Sequence, residues 1–521
     1  MDPVVATLTI LLLAVVAFVS NRVPLGVVAI GVALALYFTG VLPLSTALSG
    51  FGDPTVLFIA ALFVVSESLD ATGVTAWAGK MVIARAGTRR LSLLIVLSLL
   101  VAGLTALISV NGAVAALLPL VVVVAARAGI HTSQLLMPLA FSAHAGSMLL
   151  LTGTPVNIIV SEVAVENGGR AFGFFEFAAV GAPLLIGTVA ILAIFGRRLL
   201  PERNGGVMSV DLSDHARLLR RQYSLEGDTG LILGPARGVT EVIVSPRSPL
   251  IGVRLTPGMV TPSGDLVLLA ARRGEEVLRE GEFRARLGDV LLLQGAWDDL
   301  VARTEGPEVL VVDTPAQLRR SVPLGVGAKR AMTIVGLMVV LLATGLVPPA
   351  VAALLAACAL VVTRTVSPSQ AYHSISWTTV VLIAGMIPLS TAFTETGTAD
   401  LVAGWLLAVV GDAGPQIALL ALVVLTVVLG QLISNTATVL IVAPIAVAVA
   451  TTLGASVQPF MMALTVAGAA SFLTPIATPA NLMVLEPGGY RFGDYWKLGI
   501  LLAVFFVVMA VFYVPLIWPL S

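Results

Sequence analysis

The chain has 521 residues, of which 58% are hydrophobic and 11% charged, with a mean hydropathy of +1.02. Soluble domains average about 25% charged residues, so this composition excludes a soluble globular protein and describes a polytopic membrane protein. A net charge of zero implies no nucleic-acid partner.

Apolar segments fall at 4–20, 24–42, 54–70, 91–127, 134–166 and 177–197. Val4 to Ser20 lacks a basic flank and a small-residue cleavage site, so it reads as a span rather than a removed leader. Residues 201–327 change character and become charged, Gly- and Pro-punctuated, with short alternating strands. Apolar segments resume at 329–346, 348–363, 378–394, 416–451, 458–486 and 496–518. The single cysteine, Cys358, reads as an inert small hydrophobe. The four histidines form no metal-spaced cluster, and no nucleophile–base pair or phosphate loop points to an enzyme or a bound cofactor.

Two apolar runs are interrupted. Ser109-Val110-Asn111-Gly112-Ala113 breaks the run at 91–126, and Ser434-Asn435-Thr436-Ala437-Thr438 breaks the run at 417–450. In hydrocarbon, irregular backbone survives only where it lines a cavity or holds a ligand. Each break therefore reads as the tip of a re-entrant helical hairpin. Ser434 minus Ser109 is 325, and Pro444 minus Pro119 is also 325. A second pair of breaks, Thr152-Gly153-Thr154-Pro155-Val156-Asn157 and Thr474 to Asn481, is offset by 324, as are Pro54–Ala60 and Thr378–Ala384. A constant register over both halves predicts internal repeats, and matched breaks in two halves point to a transporter site at mid-membrane.

The expected architecture is an all-α polytopic membrane protein of two inverted-topology repeats with re-entrant hairpins and broken helices. The first repeat covers 1–200 and the second 328–521, with linkers at 201–235 and 314–327 around a small domain at 236–313. Arg22, Lys80, Arg85, Arg89, Arg90, Arg127, Arg197 and Arg198 fall on one side, with Lys329, Arg330, Arg364, Arg491 and Lys497. The positive-inside bias makes that side and the inserted domain cytoplasmic and puts both termini outside, in a cell (inner) membrane.

Four unwound points near the bilayer centre would offer half-helix N-termini to an anion and freed carbonyls and hydroxyls to a hard cation. Asn157 and Asn481 read as side chains that re-satisfy the backbone of the broken helices, beside Thr154 and Pro155. No arginine falls in this set, which suits a small doubly charged anion better than a phosphate ester. His144, two turns before the Thr152 break, is the best candidate for proton coupling, although a packing role is the simpler reading. Glu67 and Asp70 read as snorkelling carboxylates, and Glu395 and Glu486 as helix-end residues.

Ser434-Asn435-Thr436 and the stretch from Ser471 to Asn481 resemble the signatures of the divalent anion:sodium symporters, within the wider ion-transporter superfamily. The resemblance covers both membrane halves. It implies a homodimeric secondary transporter, with sodium as the coupling ion and an elevator-type motion. It further implies that Ser109, Asn111, Ser434, Asn435, Thr436, Thr478 and Pro479 meet the anion. Sodium would fall to Ser109, Val110, Asn111, Gly153, Ser434, Asn435, Thr436 and Ala477, with Asn157 a further candidate on the first side. The first half departs from the pattern at Val110, where the family carries asparagine. Valine offers only its carbonyl, so fewer sodium ions are expected. The anion is left open among sulfate, succinate, citrate and similar species. Two alternatives stand beside this reading: a proton-coupled or arsenite-type carrier or channel of the same superfamily, and a membrane sensor with a vestigial site.

In the insert, Val239–Val244 alternates like a strand. Ser248-Pro249-Leu250-Ile251-Gly252 and Gly288-Asp289-Val290-Leu291-Leu292 follow. These pieces resemble the RCK-C (TrkA-C) module of potassium-channel and potassium-uptake gating proteins. The resemblance implies an α+β domain that dimerises and in some members binds a small effector. No G-x-G-x-x-G loop accompanies it.

Overall fold

A computed structural model describes residues 2–20, 22–75, 77–78, 81, 89–204, 237–261, 264–274, 276–278, 282–304, 309–311, 324–325, 327–398, 401–402, 404–405 and 414–520. Lys80, Arg85 and most of both linkers lie outside these residues.

The first helical part holds α1 (Pro3–Ser20), α2 (Leu25–Phe38), α3 (Pro54–Ala71), α4 (Arg90–Leu107), α5 (Val110–Ala128), α6 (Ser133–Gly146), α7 (Pro155–Glu166) and α8 (Ala178–Leu199). Local chemistry sets their ends. Asp53 caps α3 by accepting from the Thr55 N–H at 2.7 Å, with Pro54 at the first helical position. Gly129 closes α5 in the left-handed region, at φ 65°.

The insert spans β1 (Arg237–Val244), β2 (Arg254–Leu255), β3 (Leu266–Arg273), β4 (Glu276–Leu278), β5 (Phe283–Arg284), β6 (Val290–Ala296), α9 (Trp297–Thr304) and β7 (Val309–Val311). Five strands form one sheet in the order β4-β3-β6-β1-β7, and β2 pairs with β5. β1 runs antiparallel to β6, with Val239 opposite Gln294. Trp297 of α9 lies so close over Gly238 that a side chain there would collide with the ring.

The second helical part holds α10 (Ala328–Thr344), α11 (Pro349–Val362), α12 (Trp377–Glu395), α13 (Pro415–Leu429), α14 (Asn435–Thr452), α15 (Val457–Ala469), α16 (Pro479–Leu485) and α17 (Tyr495–Val508), which continues through Met509–Tyr513 to Ile517. Six helices among the described residues are long and apolar enough to cross a membrane.

The two parts interlock. α2 packs on α12, and α11 packs on α3. Small residues allow the first contact: a Cβ on Gly385 would lie 2.6 Å from the Ala29 carbonyl oxygen. Close backbone approach of this kind is what holds helices together in lipid, where apolar burial supplies no driving force. α1 packs on α2 and α10 on α11, which adds both to this group, while α4 to α8 and α13 to α17 form a second group, with α4 and α8 on α6, and α13 and α14 on α15.

The insert leaves and re-enters at different places. At 201–204 the chain is held to the second group. The Ser133 hydroxyl donates to the Pro201 carbonyl at 2.5 Å, and Arg203 pairs with Asp494 at 2.9 Å. At 324–325 it is held to the end of α3, where the Gly325 N–H donates to the Thr72 carbonyl at 2.8 Å.

Candidate functional site

The polar interruptions produce four helix breaks. α4 ends at Leu107, Ile108 and Ser109 are extended, and α5 starts at Val110. The Ser109 hydroxyl oxygen accepts from the Gly112 N–H at 3.2 Å. The second tip repeats this, the Ser434 oxygen accepting from the Ala437 N–H at 3.3 Å. Each serine caps its helix and satisfies one amide; the other first-turn amides keep the partial positive charge of a helix start.

The second pair of breaks is longer than the motifs alone indicated. α6 stops at Gly146, and Thr154 caps α7 eight residues later. α15 stops at Ala469, and Thr478 caps α16. One side chain spans each gap. Asn157 Nδ2 donates to the carbonyls of Ser147 at 2.9 Å and Leu150 at 2.8 Å. Asn481 Nδ2 donates to Ser471 at 2.7 Å and Thr474 at 3.2 Å. Both asparagines are fully buried, and these bonds satisfy carbonyls that the breaks set free. Gly153 fits because a Cβ there would collide with the Ser147 carbonyl oxygen.

Helix crossings bring the breaks together. α5, behind the first tip, packs on α16, and α14, behind the second, packs on α7. The Cβ position of Gly468 lies 3.1 Å from Val439 of α14 and 3.7 Å from Val156 of α7. In the second half the Ser471 hydroxyl donates to Asn435 Oδ1 at 2.6 Å, tying tip to break. Thr436 and Leu473 are half-buried there, Ala477 is buried, and Pro479 is exposed. In the first half Val110 offers no such acceptor. The Ser147 hydroxyl instead donates to the His144 carbonyl at 2.8 Å. Asn111 is exposed, one residue into α5.

Two residues escaped the sequence reading, Gln431 and Ser66, and two that it named, Asp70 and His144, make contacts it did not give. Gln431 stitches the second tip to its break: Nε2 donates to the Ala470 carbonyl and Oε1 accepts from the Leu473 N–H, both at 3.0 Å. Ser66 and Asp70 of α3 approach the first tip. A Cβ on Gly112 would lie 3.3 Å from Ser109 Oγ, 3.8 Å from Asp70 Oδ2 and 3.9 Å from Ser66 Oγ. Asp70 read as a snorkelling helix-end carboxylate; α3 passes α5 here and turns that carboxylate toward the tip. His144 is buried with Nε2 3.1 Å from Thr478 Oγ1, so a first-half residue touches the second-half break. No local signal could find these contacts, because each joins helices far apart in sequence.

A separate cleft lies between the start of α3, α7, α12 and α14, lined by Asp53, Glu162, Glu166, Ser390 and Pro444. Among the described residues no group of His, Cys, Asp and Glu has metal-binding geometry.

The sequence profile of the family described as Citrate transporter (CitMHS) matches residues 15–467 and 413–520. The chain belongs to this family. Its similarity extends to the transporter YfbS of Escherichia coli (strain K12), 31% identical over 98% of each chain. It is 26% identical to Sodium/sulfate cotransporter 1 of Chlamydomonas reinhardtii over 53% of this chain and 32% of that protein. Among solved structures, the YdaH transporter of Alcanivorax borkumensis matches over 100% of both chains with a TM-score of 0.50 and 15% identity, a likeness of fold alone. This member of the citrate transporter family is thus a multi-pass membrane transporter, and its family and relatives are transporters rather than enzymes.

Proposed function

We propose that the protein is a secondary active transporter that carries a small divalent anion together with sodium. The observation that carries the reading is the grouping of four interrupted helices, two hairpin tips and two Asn-spanned breaks, with hydroxyls and backbone dipoles in place of formal positive charge. Helix N-termini at α5 and α14 suit anion oxygens, and the hydroxyl and carbonyl oxygens beside them suit a hard cation. Ser109, Asn111, Ser434, Asn435, Thr436, Thr478 and Pro479 are the anion set. Ser109, Val110, Asn111, Gly153, Ser434, Asn435, Thr436 and Ala477 are the sodium set. Sulfate is favoured over dicarboxylates by the names of the Chlamydomonas relatives, while the family description favours citrate.

The same reading makes the halves inverted repeats. Asn481 minus Asn157 is 324, and the carbonyls they bind, Ser147 with Ser471 and Leu150 with Thr474, share that offset. It treats α2, α3, α11 and α12 as the dimeric scaffold and the second group as the moving elevator. The β-sheet insert is an RCK-C-like cytoplasmic regulator that dimerises. Its two anchorages, one on each helical group, fit a part that senses their relative position.

The test is uptake into proteoliposomes of labelled sulfate, succinate and citrate, with and without an inward sodium gradient. Sodium-driven accumulation of one of them is expected. Flux indifferent to sodium that follows a proton gradient would favour the second reading, proton coupling, for which buried His144 at the break is the supporting observation.

A further inference from the structure

We infer that the basic ends of α4 and α8, with the start of α6, form a docking site for the headgroup of an anionic phospholipid, centred on Arg90. α4 begins at Arg90 and α8 ends one residue after Arg198, and both helices are long and apolar enough to cross a membrane. Their arginines therefore stand where hydrocarbon gives way to water. α4, α6 and α8 pack on one another, so the three helix ends surround one notch.

Arg90 is held in that notch. It is half-buried, and its Nε donates to Gln134 Oε1 at 3.0 Å. Gln134 is itself buried, and its Nε2 donates to the carbonyls of Leu200 and Pro201, both at 3.2 Å. Carbonyls only accept, so the amide orientation is set and the guanidinium is fixed through it. Arg90 Nη2 lies over Gly196 of α8, 3.2 Å from where a Cβ there would stand. It is buried and has no hydrogen-bond partner among the described residues. Nη1 is bonded to no described residue either and is the edge left for an incoming oxygen. Arginine keeps its proton throughout the physiological range, so a fixed positive charge goes unanswered here. Arg203, the other half-buried arginine at this end of α8, differs: it pairs with Asp494 at 2.9 Å. Arg89, Arg197 and Arg198 are exposed, add charge of the same sign and form no ion pair among the described residues. Glu202 is the nearest acid in sequence, also exposed and outside any such pair, and one carboxylate does not balance four arginines.

The apolar neighbours select the kind of anion. Ile194, 67% exposed, lies one turn before Arg198 on the same face of α8, and Leu91, 51% exposed, follows Arg90 into the membrane. Free phosphate has no use for them. A phospholipid offers a phosphodiester to arginines, which bind phosphate oxygens in pairs, and acyl chains to the apolar side chains deeper in the bilayer. The bound headgroup would tie the three helix ends together, and α4 runs from this notch to the first tip.

The test is binding of phosphatidylglycerol to the detergent-purified full chain, read by native mass spectrometry and by thermal unfolding, beside phosphatidylcholine and inorganic phosphate. Wild type is expected to retain phosphatidylglycerol saturably and to unfold at a higher temperature with it. Phosphatidylcholine and phosphate should do neither. Arg90→Gln should weaken phosphatidylglycerol binding about fivefold, and Arg197→Gln with Arg198→Gln about fivefold per arginine removed. Arg22→Gln, which removes an exposed arginine between α1 and α2, should bind as wild type does. If Arg90→Gln does not fold, the double variant decides, since it changes only exposed side chains. Equal retention of phosphatidylcholine, phosphate that protects as well as the lipid, or a folded double variant that binds as wild type overturns the proposal. No readout here requires transport, so failure of the anion-carrier reading leaves the result intact.

Discussion

The Ser471 hydroxyl donates to Asn435 Oδ1 at 2.6 Å, and the residues at the matching places in the first half, Ser147 and Val110, make no such bond. The second half therefore joins tip and break side chain to side chain, whereas the first half joins them side chain to backbone, the Thr152 hydroxyl donating to the Ala106 carbonyl at 3.0 Å. Ser471→Ala is expected to raise the sodium concentration for half-maximal uptake by about tenfold, as loss of a hydrogen bond of about 1–1.5 kcal/mol requires. Ser147→Ala should change it by less than about twofold, since its bond is to its own helix. The check is sodium-dependent uptake in proteoliposomes; in an Asn435→Ala background the Ser471→Ala effect should vanish.

Val110→Asn would supply the missing amide at the first tip. Its oxygen could take the Ser147 hydroxyl as Asn435 takes that of Ser471. The expected outcome is a steeper dependence of flux on sodium. An unchanged sodium profile in a folded variant would mean that the first tip takes no part in coupling.

Each spanning asparagine holds two carbonyls freed by its break, one of them on a buried serine. Asn157→Ala or Asn481→Ala should each lower the stability of the detergent-solubilised protein by about 2–4 kcal/mol, because buried acceptors lose their partners. Asn167→Ala, which removes one half-buried bond to Val163 in the last turn of α7, should cost less than about 0.5 kcal/mol. Thermal unfolding of the three variants side by side checks the order.

Two glycines press on the breaks. A Cβ on Gly181 of α8 would collide with the Met148 carbonyl, and one on Gly499 of α17 with the Phe472 carbonyl. Both contacts are with backbone, which cannot swing aside as a side-chain end can. Gly181→Ala and Gly499→Ala are expected to cut transport or folded yield severely. Gly103→Ala and Gly336→Ala meet nothing within 4 Å and should be tolerated. Fluorescence size-exclusion profiles and uptake report the difference.

In the insert, burial pushes the Asp289 carboxyl up, but the Arg273 hydrogen bonds at 2.8 Å, the Arg286 N–H and the two arginine charges outweigh it and hold it below its ordinary 3.8. A carboxylate depressed on folding stabilises the fold fully above its unfolded value and loses that contribution as pH falls through the folded value. Stability of the insert should therefore be flat above about pH 5 and fall below about pH 4. Asp289→Asn should remove most of that acid dependence and cost about 1–3 kcal/mol at neutral pH, since it leaves Arg273 without its partner. Limited proteolysis of the 237–311 region in the full chain across pH is the measurement.

Much of this was legible in the chain. The serine at each tip is an N-cap, and α5 and α14 start one residue after Ser109 and Ser434 because hydroxyl capping is a local event. The Thr-Pro pairs gave the restart of α7 and α16 for the same reason, with proline tolerated at the first helical position. Where the helices stop was less legible. α6 ends at Gly146, ahead of the Thr-Pro pair, and the backbone that follows at Met148 lies against Gly181 of another helix.

The amino-acid order alone determined that this is a membrane protein, where its helices are interrupted and which residues cap them, because hydropathy, capping and proline act within one turn. Tertiary structure alone decided that Asp70 faces the first tip, that Gln431 stitches the second, and that His144 reaches Thr478. Those partners lie tens to hundreds of residues apart, and which of them meet depends on how the helices cross. Side-chain shape at glycine contacts sets those crossings, and no local pattern encodes them.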